Sequence, residues 1–548
     1  MKRIPYTTTA VGLSALVVLS GCGAQPASSG TVEAISSATE ETAVTTASAA
    51  GTDSLFSDRD LQETYDESSA IPIQLNGDSA ACDADGVTIE GSRVTIRQEG
   101  VYLLSGTLTD GQIVVDAGES DKVQLVLDGA DITSSTSAAL YALEADKVFV
   151  TLAPGTENTL TNGGEYVAVD DNNIDAVLFA KTDLTLNGTG SLTVNAPAGH
   201  GVVSKDDLVI TGGNYTITAA SHGLSGKDSV AIADGSFTIT AGKDGIHAEN
   251  TDDLSLGSLS IVDGSFTITA QGDAISAQGA LQIDSGTFAL YTGAGSASVD
   301  MTTTQTSQPG ARGQTEATST ATDEETASQK GIKGESGFTI TGGTFTIDSA
   351  DDCLHAGGAM TLAAGTFTLN SGDDAIHCDD ALTIQSGTFT IPYCYEGIEG
   401  ASITVEDGTF DITANDDGIN AAGGADSSGF GGFGKGPQDT FASDSDSFIT
   451  INGGSLTVVS SGDCVDSNGA LTINGGTLEL TCNGSGDTAL DCDGTYTNNG
   501  GNVSTNDGSE SNPGQMGGGK NGGQSGGGRK GGAAGSASPD GQTGATSS

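Results

Sequence analysis

Tryptophan is missing from this chain, and basic residues are scarce. The 548 residues include 18 Lys and Arg against 72 Asp and Glu, which gives a formal net charge of −54. So negative a chain repels nucleic-acid phosphates and anionic lipid headgroups, which excludes nucleic acid as a partner, and it attracts divalent cations. The chain is nevertheless not predicted to be disordered, because Phe, Leu, Ile and Val recur in regular patterns.

Long hydrophobic runs are also missing. The one N-terminal candidate, residues 10–19, is far shorter than the roughly 20 residues that span a bilayer. It runs into the tetrapeptide LSGC, ending at Cys22, which resembles a bacterial lipobox and implies cleavage before Cys22 and diacylation of its thiol. An ordinary secretory signal with a chance cysteine is the alternative. We therefore predict a signal peptide over residues 1–21 and an extracytoplasmic bacterial lipoprotein whose only membrane contact is the lipid on Cys22.

The remaining cysteines predict no disulfide framework. Their number is odd, so they cannot all pair within one chain, and their spacing matches no zinc-ribbon or CxxC pattern. We expect mostly unpaired thiols in or near a core and leave open one disulfide in the C-terminal group. The seven are Cys82, Cys353, Cys378, Cys394, Cys464, Cys482 and Cys492.

Composition divides the chain into one repetitive region and several low-complexity segments. We predict a flexible Ser/Thr/Ala-rich stalk over residues 22–70 and a disordered Gly/Ser-rich tail over residues 505–548. Disordered insertions are predicted near 298–330 and 423–446. The remaining residues of the span 71–504 form the predicted folded domain.

A pentapeptide of the form Gly-Thr/Ser-Phe-Thr-Ile recurs through the folded domain. The copies at 343, 365 and 387 follow one another at 22-residue steps (365 − 343 and 387 − 365), and apolar and polar residues alternate within them. A period in the low twenties with short strands and Gly or Asn corners is typical of a solenoid. The units lack the Leu/Asn pattern of leucine-rich repeats, and a β-sandwich does not repeat at constant period. We therefore predict an all-β, right-handed parallel β-helix with about 22 residues per turn.

The recurring aromatic residue predicts an internal ladder with one ring per turn. Leucines continue it toward the C-terminus. The predicted members are Phe237, Phe266, Phe288, Phe345, Phe367, Phe389, Phe410, Leu456 and Leu478.

Alignment of the turns places polar corner residues in two columns. All five histidines of the chain fall in these columns, which chance scatter would not produce. The first column holds His200, His222, Asp244, Asp273, Asp352, Asp374, Glu396, Asp417 and Asp463. The second column, three residues later, holds Ser225, His247, Ser276, Lys333, His355, His377, Glu399, Asn420 and Asp466.

The first column concentrates negative charge. Neighbouring turns lie about 4.8 Å apart, where two carboxylates repel by about 1 kcal/mol in water and about 3–4 kcal/mol at an effective dielectric constant of 20. No Lys or Arg occurs between Gly334 and Gly434 to offset these acids. We predict Ca²⁺ as the cofactor, because it takes six to eight oxygen ligands in irregular geometry. Zn²⁺ on the histidines and a solvated acidic ridge of turn-forming residues are the alternatives. The predicted metal ligands are Asp351, Asp352, Asp373, Asp374, Glu396, Glu399, Asp416, Asp417, Asp463 and Asp466.

Several segments together resemble a known family. They are the lipobox, DNNIDAVLFAKTDLTLNGTGSLTV at 171–194, GHGVVSKDDLVITGGNYTI at 199–217, and corners of the type ADDCLHA at 350–356. This combination, over about residues 75–505, resembles a clostridial family of β-helix carbohydrate-binding proteins that carry Ca²⁺ and share the shape of pectate lyases. The resemblance implies binding of cellulose or of acidic sugars such as polygalacturonate. It transfers no individual ligand residue.

An acidic protein can hold an acidic polysaccharide when Ca²⁺ bridges the two sets of carboxylates. Stacking of a neutral glucan on aromatic rings is less supported, because Trp is missing and most Phe residues are predicted to be internal. We predict sugar contacts at His355, His377, Tyr393 and Tyr395, with His355 as a polar surface neighbour of the acid column. Capping of the solenoid edge is the alternative role for the two tyrosines.

We therefore predict a lipid-anchored surface protein that binds polysaccharide and is not an enzyme. A structural or adhesive solenoid with purely structural Ca²⁺ is the second hypothesis. A polysaccharide lyase or hydrolase is the third, and it is disfavoured because no arginine lies in the regular turns and Lys333 is the best remaining basic catalyst. The oligomeric state is left open, with a monomer expected.

Overall fold

A computed structural model describes residues 55–168, 172–301, 328–422 and 447–513. Within these ranges the chain consists of β-strands, turns and two short 3-10 helices, Ser296–Ser298 and Ser509–Ser511. No helix in the described ranges is long and apolar enough to cross a membrane.

The strands follow one another at short intervals along the whole described chain. In chain order they are β1 Ile71–Gly77, β2 Ala80–Ala81, β3 Val87–Glu90, β4 Arg93–Ile96, β5 Gly100–Leu108, β6 Gln112–Asp116, β7 Lys122–Ser134, β8 Leu140–Glu144, β9 Lys147–Leu152, β10 Glu157–Asn162, β11 Ala176–Ala180, β12 Asp183–Gly188, β13 Ser191–Ala196, β14 His200–Ser204, β15 Asp207–Ile210, β16 Asn214–Ala219, β17 Leu224–Gly226, β18 Ser229–Ile232, β19 Ser236–Ala241, β20 Ile246–Ala248, β21 Ser258–Ile261, β22 Ser265–Ala270, β23 Ile275–Ala277, β24 Leu281–Ile283, β25 Thr287–Thr292, β26 Ile332–Gly334, β27 Phe338–Ile340, β28 Thr344–Ser349, β29 Leu354–Ala356, β30 Met360–Leu362, β31 Thr366–Ser371, β32 Ile376–Ile384, β33 Thr388–Tyr393, β34 Ile398–Val405, β35 Thr409–Thr413, β36 Ile419–Ala421, β37 Phe448–Ile451, β38 Ser455–Ser460, β39 Asp466–Ser467, β40 Ala470–Ile473, β41 Thr477–Cys482, β42 Tyr496–Asn498 and β43 Asn502–Thr505.

Each regular turn contributes one strand to each of three parallel sheets. In one turn, β29 belongs to the corner sheet, β30 to the middle sheet and β31 to the phenylalanine sheet. They pair in parallel with β26, β27 and β28 of the preceding turn and with β32 and β33 of the following one. Antiparallel pairs among the described residues occur only near the N-terminal end, between β1 and β2 and between β3 and β4. The fold is a parallel β-helix, as predicted.

The corner sheet is the part of each turn that the sequence analysis missed. The structure has three strands in each regular turn, whereas the sequence analysis treated the corners as polar columns without a strand. A corner strand such as β29 has three residues, which is too short for an apolar–polar alternation to stand out.

The predicted phenylalanine ladder is confirmed. Rings from Phe237 to Phe410 stack in successive turns with centroids 4.7–4.9 Å apart and planes within 6° of parallel. Leu456 and Leu478 continue the same register. The glycine before each ring is required locally: Gly365 has φ of 141°, and a Cβ there would lie 2.7 Å from the Phe367 ring. The contact between the glycine and the ring therefore explains the Gly-Thr-Phe motif. The stacked rings keep successive turns, and with them the corners, in register.

The folded region extends beyond the boundaries that we predicted. Asp60, within the predicted stalk, is 2% exposed and contacts Lys147 at 2.8 Å and Thr185 at 2.6 Å. At the other end β43 runs to Thr505, and the following Ser509 is buried. The signal peptide, Cys22 and most of the predicted stalk, insertions and tail lie outside the described residues.

All seven cysteines after Cys22 are free thiols in the described structure, and five of them are buried. The expectation of mostly unpaired thiols is confirmed, and the C-terminal disulfide that we left open is not formed. Buried cysteines of this kind pack as small apolar side chains.

Candidate functional site

The structure aligns both predicted columns. Members of the second column pair directly across the corner sheet, as in Lys333 with His355, His355 with His377, and His377 with Glu399. The first column follows from backbone hydrogen bonds: the Cys353 N–H donates to the Asp374 carbonyl at 3.1 Å, and equivalent bonds join the other turns. Polar side chains from successive turns therefore stack along one edge of the β-helix.

Lys330 occupies the first column between Asp273 and Asp352, a position that our alignment left empty. The Ala274 N–H donates to the Lys330 carbonyl, and the Gly331 N–H donates to the Asp352 carbonyl. Residue 330 lies at the end of the predicted disordered insertion near 298–330, but the residue is only 4% exposed. The register of the column makes Lys330 a full member of it.

The lysine section, defined as Lys330, Asp351, Asp352 and His355, is a buried ion network. Lys330 Nζ lies 2.9 Å from Asp351 Oδ1 and 2.7 Å from Asp352 Oδ2, and His355 Nδ1 lies 2.9 Å from Asp352 Oδ2. Burial alone would raise the pKa of Asp352, but Lys330 and His355 lower it. The chain has no Lys or Arg between Gly334 and Gly434. Lys330, which precedes this span, supplies a positive charge to Asp351 and Asp352. Asp351 and Asp352 thus have a protein counter-charge, and Ca²⁺ binding by them stays a prediction.

Beyond the lysine section, His377 is the next group that can offset the carboxylates. It is 2% exposed, and its ring nitrogens lie 2.9 Å from Asp374, 3.2 Å from Glu399 and 3.0 Å from Asp379. Burial would lower the pKa of His377, but these carboxylates raise it well above its usual value.

The acid section, defined as Glu396, Asp417, Asn420, Asp463 and Asp466, follows toward the C-terminus. Within the described ranges no Lys, Arg or His forms an ion pair with its four carboxylates. Burial and then neighbouring carboxylates raise the pKa of Glu396 and Asp417 well above their usual values. Burial likewise raises the pKa of Asp463 to about 7 and that of Asp466 to about 6. Burial, together with neighbouring acids that have no counter-charge, explains all four shifts.

An amide oxygen lies unused within the acid section. Asn420 is 3% exposed, and its Nδ2 donates to Glu396 Oε2 at 3.1 Å. Its Oδ1 is buried without a hydrogen-bond partner. Asn420 stands between Glu399 and Asp466 in the corner-sheet register. A buried oxygen without a donor among carboxylates is an arrangement that a bound cation would satisfy.

Several carboxylate groups have the spacing of metal ligands. One oxygen from each of Asp463, Asp466 and Asp491 lies within 4.8 Å of the other two, and the same holds for Asp351, Asp352 and Asp373. Asp491 is an addition that the sequence analysis missed, because it follows the last regular repeat. Asp416, another predicted ligand, accepts a hydrogen bond from Tyr395 Oη at 2.8 Å.

The histidine section, defined as His222, Asp244 and His247, lies nearer the N-terminus on the same edge. His222 Nδ1 is 3.3 Å and His247 Nδ1 is 2.8 Å from Asp244 Oδ2, and the two rings stack with centroids 4.2 Å apart. Burial would raise the pKa of Asp244, but contacts with both histidines lower it. This shift is opposite to the shifts in the acid section.

The predicted sugar-contact residues fall into two groups. His355 and His377 are 6% and 2% exposed, so the expectation that His355 lies at the surface is wrong, and neither ring faces solvent for a sugar. The reason is that both are corner-sheet members hydrogen-bonded to acids of their own turn. Tyr393 is 39% exposed, and Tyr395 Oη donates a hydrogen bond to Asp416. Of the four, Tyr393 offers the most accessible surface.

Together, the fold and the site define a parallel β-helix with a polar, largely acidic edge. The chain belongs to a family described as carbohydrate-binding domain-containing protein, whose model matches residues 90–375 and 373–520. This confirms the resemblance found in the sequence at the level of a carbohydrate-binding family.

Two individual proteins are similar to parts of the chain. A carbohydrate-binding domain-containing protein of Acetivibrio thermocellus is 41% identical over 150 residues, which are 27% of this chain and 52% of that protein. The match thus spans about half the length of that curated relative. A solved structure of a polysaccharide lyase-like protein from C. thermocellum, a gadolinium derivative, is 38% identical over 41% of this chain and 92% of that chain, with a TM-score of 0.39.

Proposed function

We propose that this protein binds an acidic polysaccharide through Ca²⁺ held by the acid section, and that it does not cleave the polysaccharide. Membership of a carbohydrate-binding family supports the class of ligand. The observation on which the metal depends is the stack of Glu396, Asp417 and Asp463 in successive turns with no basic partner among the described residues.

The residues of the acid section fit Ca²⁺ by number and type of donor. They offer carboxylate oxygens and the partnerless Asn420 Oδ1, and Ca²⁺ accepts both kinds of oxygen. Asp463, Asp466 and Asp491 are each partly exposed, so an ion bound there keeps coordination positions open to solvent. A uronate carboxylate of the polysaccharide takes those positions, and the ion then bridges two negatively charged partners. A long acidic chain would engage several such ions along the edge.

Cellulose is the other polysaccharide in this proposal, and Tyr393 is the residue best placed to contact it. The remaining parts of the proposal concern the N-terminus: cleavage after residue 21, lipidation of Cys22, and display of the β-helix on a stalk outside the cytoplasm.

The alternative function, a structural solenoid with structural Ca²⁺, is favoured by one observation. Asp374 and Glu396 are 5% and 6% exposed, and an ion at that depth would be walled off from any sugar.

Binding of polygalacturonate with and without a calcium chelator tests the proposal. We expect the protein to bind polygalacturonate in Ca²⁺ and to lose this binding in EGTA. Cellulose serves as a neutral competitor in the same assay. The triple variant Asp463→Asn/Asp466→Asn/Asp491→Asn removes the exposed ligands and should lower affinity at least about tenfold, which corresponds to about 1.4 kcal/mol. Glu406→Gln/Asp411→Asn/Glu479→Gln is the matched control, since it removes three exposed carboxylates elsewhere on the β-helix.

The possible results distinguish the proposed function from a structural role and from an enzyme. Calcium-dependent stabilisation without polysaccharide binding would favour the structural alternative. Binding that persists in EGTA, or that both triple variants reduce equally, would contradict a calcium bridge. Release of unsaturated uronates or new reducing ends from the polysaccharide would assign an enzyme instead.

A further inference from the structure

The histidine section differs from the acid section in the kind of ligand atom that it offers. It has two imidazole nitrogens and one carboxylate oxygen, and one ligand atom from each residue lies within 4.8 Å of the other two. Imidazole nitrogen suits Zn²⁺, Cu²⁺, Ni²⁺ or Co²⁺, whereas Ca²⁺ takes oxygen. The same edge of the fold thus presents nitrogen donors near one end and oxygen donors near the other.

Both ring nitrogens of His247 lie beside carboxylates. His247 Nε2 lies 3.2 Å from Glu249 Oε2, which accepts a hydrogen bond from the ring N–H. His247 Nδ1 is buried and lies 2.8 Å from Asp244 Oδ2, close enough for an ion pair but without the alignment of a hydrogen bond. His355 and Asp352 form the equivalent pair in a later turn, and there the contact is an aligned hydrogen bond. Loss of the ring proton from His247 Nδ1 would leave a lone pair that faces Asp244 Oδ2, and a bound cation would take the place of that proton.

His222 Nδ1 faces the same space, and a metal bound there would replace the long hydrogen bond that this nitrogen accepts. Its Nδ1 accepts a hydrogen bond from the Asp244 backbone N–H at 3.3 Å, which places the ring proton on Nε2. The distances of 2.8 and 3.3 Å from the two Nδ1 atoms to Asp244 Oδ2 approach the spacing of about 3.3 Å between two ligands on a tetrahedral ion with bonds of about 2.0–2.1 Å. Little movement would be needed to place an ion among the three atoms.

We infer that His222, Asp244 and His247 form a site for a divalent transition metal, with Zn²⁺ as the physiological candidate. Glu249 acts in the outer shell, where a carboxylate that accepts the second ring proton of a ligating histidine fixes its orientation and tautomer. The three side chains are 13–18% exposed, so an ion enters from solvent and keeps a water or ligand position. The site is independent of the calcium sites proposed in the acid section.

Titration of the full-length, tag-free chain with Co²⁺ in saturating Ca²⁺ tests this inference. We expect one equivalent of Co²⁺ to bind with the visible d–d absorption of nitrogen and oxygen ligation, and Zn²⁺ to displace it. His247→Ser should weaken Co²⁺ binding at least about tenfold, since it removes one of three protein ligands. Serine is already tolerated at this position, because Ser225 and Ser276 occupy it in the two flanking turns.

Two controls keep the test decisive. His355→Ser is the same substitution in the same column, beside the lysine section, and should leave Co²⁺ binding unchanged. Asp244→Asn preserves shape, and its loss of Co²⁺ binding would support the site even if one of the serine variants did not fold. Absence of a d–d band in the wild-type chain, or equal binding by wild type, His247→Ser and Asp244→Asn, would overturn the inference. Calcium-dependent polygalacturonate binding should be unaffected by His247→Ser, which separates this test from that of the proposed function.

Discussion

The lysine section and the acid section occupy the same column of the same β-helix, yet their electrostatics are opposite. In the lysine section two buried carboxylates share one ammonium group at 2.7–2.9 Å. Two turns further on, the carboxylates of the acid section begin, and none of them forms an ion pair with a Lys, Arg or His of the described residues. A repeating backbone therefore fixes where side chains stand but not whether their charges balance. The unbalanced section is the one where we propose a bound cation.

The lysine section should be the more sensitive of the two to loss of a charged group. Lys330→Met removes the ammonium group and leaves Asp351 and Asp352 buried together without a counter-ion. Breaking a buried ion pair from one side costs about 3–5 kcal/mol, and we expect a loss of that size in the free energy of unfolding, measured by urea denaturation at pH 7 in EDTA.

Lys333→Met is the matched control for that prediction. Lys333 lies in the neighbouring column and pairs with the exposed Glu335, so its loss should cost no more than about 1 kcal/mol. A Lys330→Met variant that folds only near pH 4, where the carboxyl groups take up protons, would also support the network. Equal costs for the two variants would remove the contrast between the sections.

Neutralising one acid should have opposite effects at the two ends of the column. Glu396→Gln removes repulsion within the acid section and should stabilise the chain in EDTA by about 1–3 kcal/mol, the range expected for adjacent carboxylates between aqueous and protein-like dielectric constants. Asp244→Asn removes the charged partner of His222 and His247 and should destabilise by about 1–3 kcal/mol.

Urea denaturation in EDTA measures both changes, with the exposed Glu406→Gln as a control expected within about 0.5 kcal/mol of wild type. In excess Ca²⁺ the advantage of Glu396→Gln should shrink or reverse, because the wild-type acids are then neutralised by the ion. Destabilisation by Glu396→Gln in EDTA would show that the acid section is balanced without metal.

The sequence alone predicted the features that repeat and missed those that occur once. The phenylalanine ladder and both columns were predictable because a 22-residue step fixes which side chains stack, and Phe345 on Phe367 is one such pair. Lys330 was missed because it directly follows a low-complexity stretch, although the spacing of three residues to Lys333 places it in the first column. Which acids are balanced depends on side-chain contacts across turns, and periodicity does not encode those contacts.

The pH dependence of stability in EDTA should separate the sections once more. A carboxyl group whose pKa is higher in the folded than in the unfolded chain stabilises the fold while it is protonated, and this contribution is lost as the pH rises from the unfolded pKa through the folded one. Asp463 and Asp466, with pKa values raised to about 7 and about 6, should therefore lower the free energy of unfolding as the pH rises from about 4 to 7.

Asp352 should behave in the opposite way, because its pKa is lowered by Lys330 against the effect of burial. Its contribution is present above the unfolded pKa of about 4 and is lost in stronger acid. Urea denaturation of wild type and of Asp463→Asn/Asp466→Asn across pH 4–8 measures the difference. We expect the wild type to lose stability toward neutral pH more steeply than the double variant, and Ca²⁺ to reduce that loss because it binds the deprotonated acids. Parallel profiles for the two proteins would mean that these carboxyl groups titrate as they do in the unfolded chain, and the acid section would then need no cation to fold.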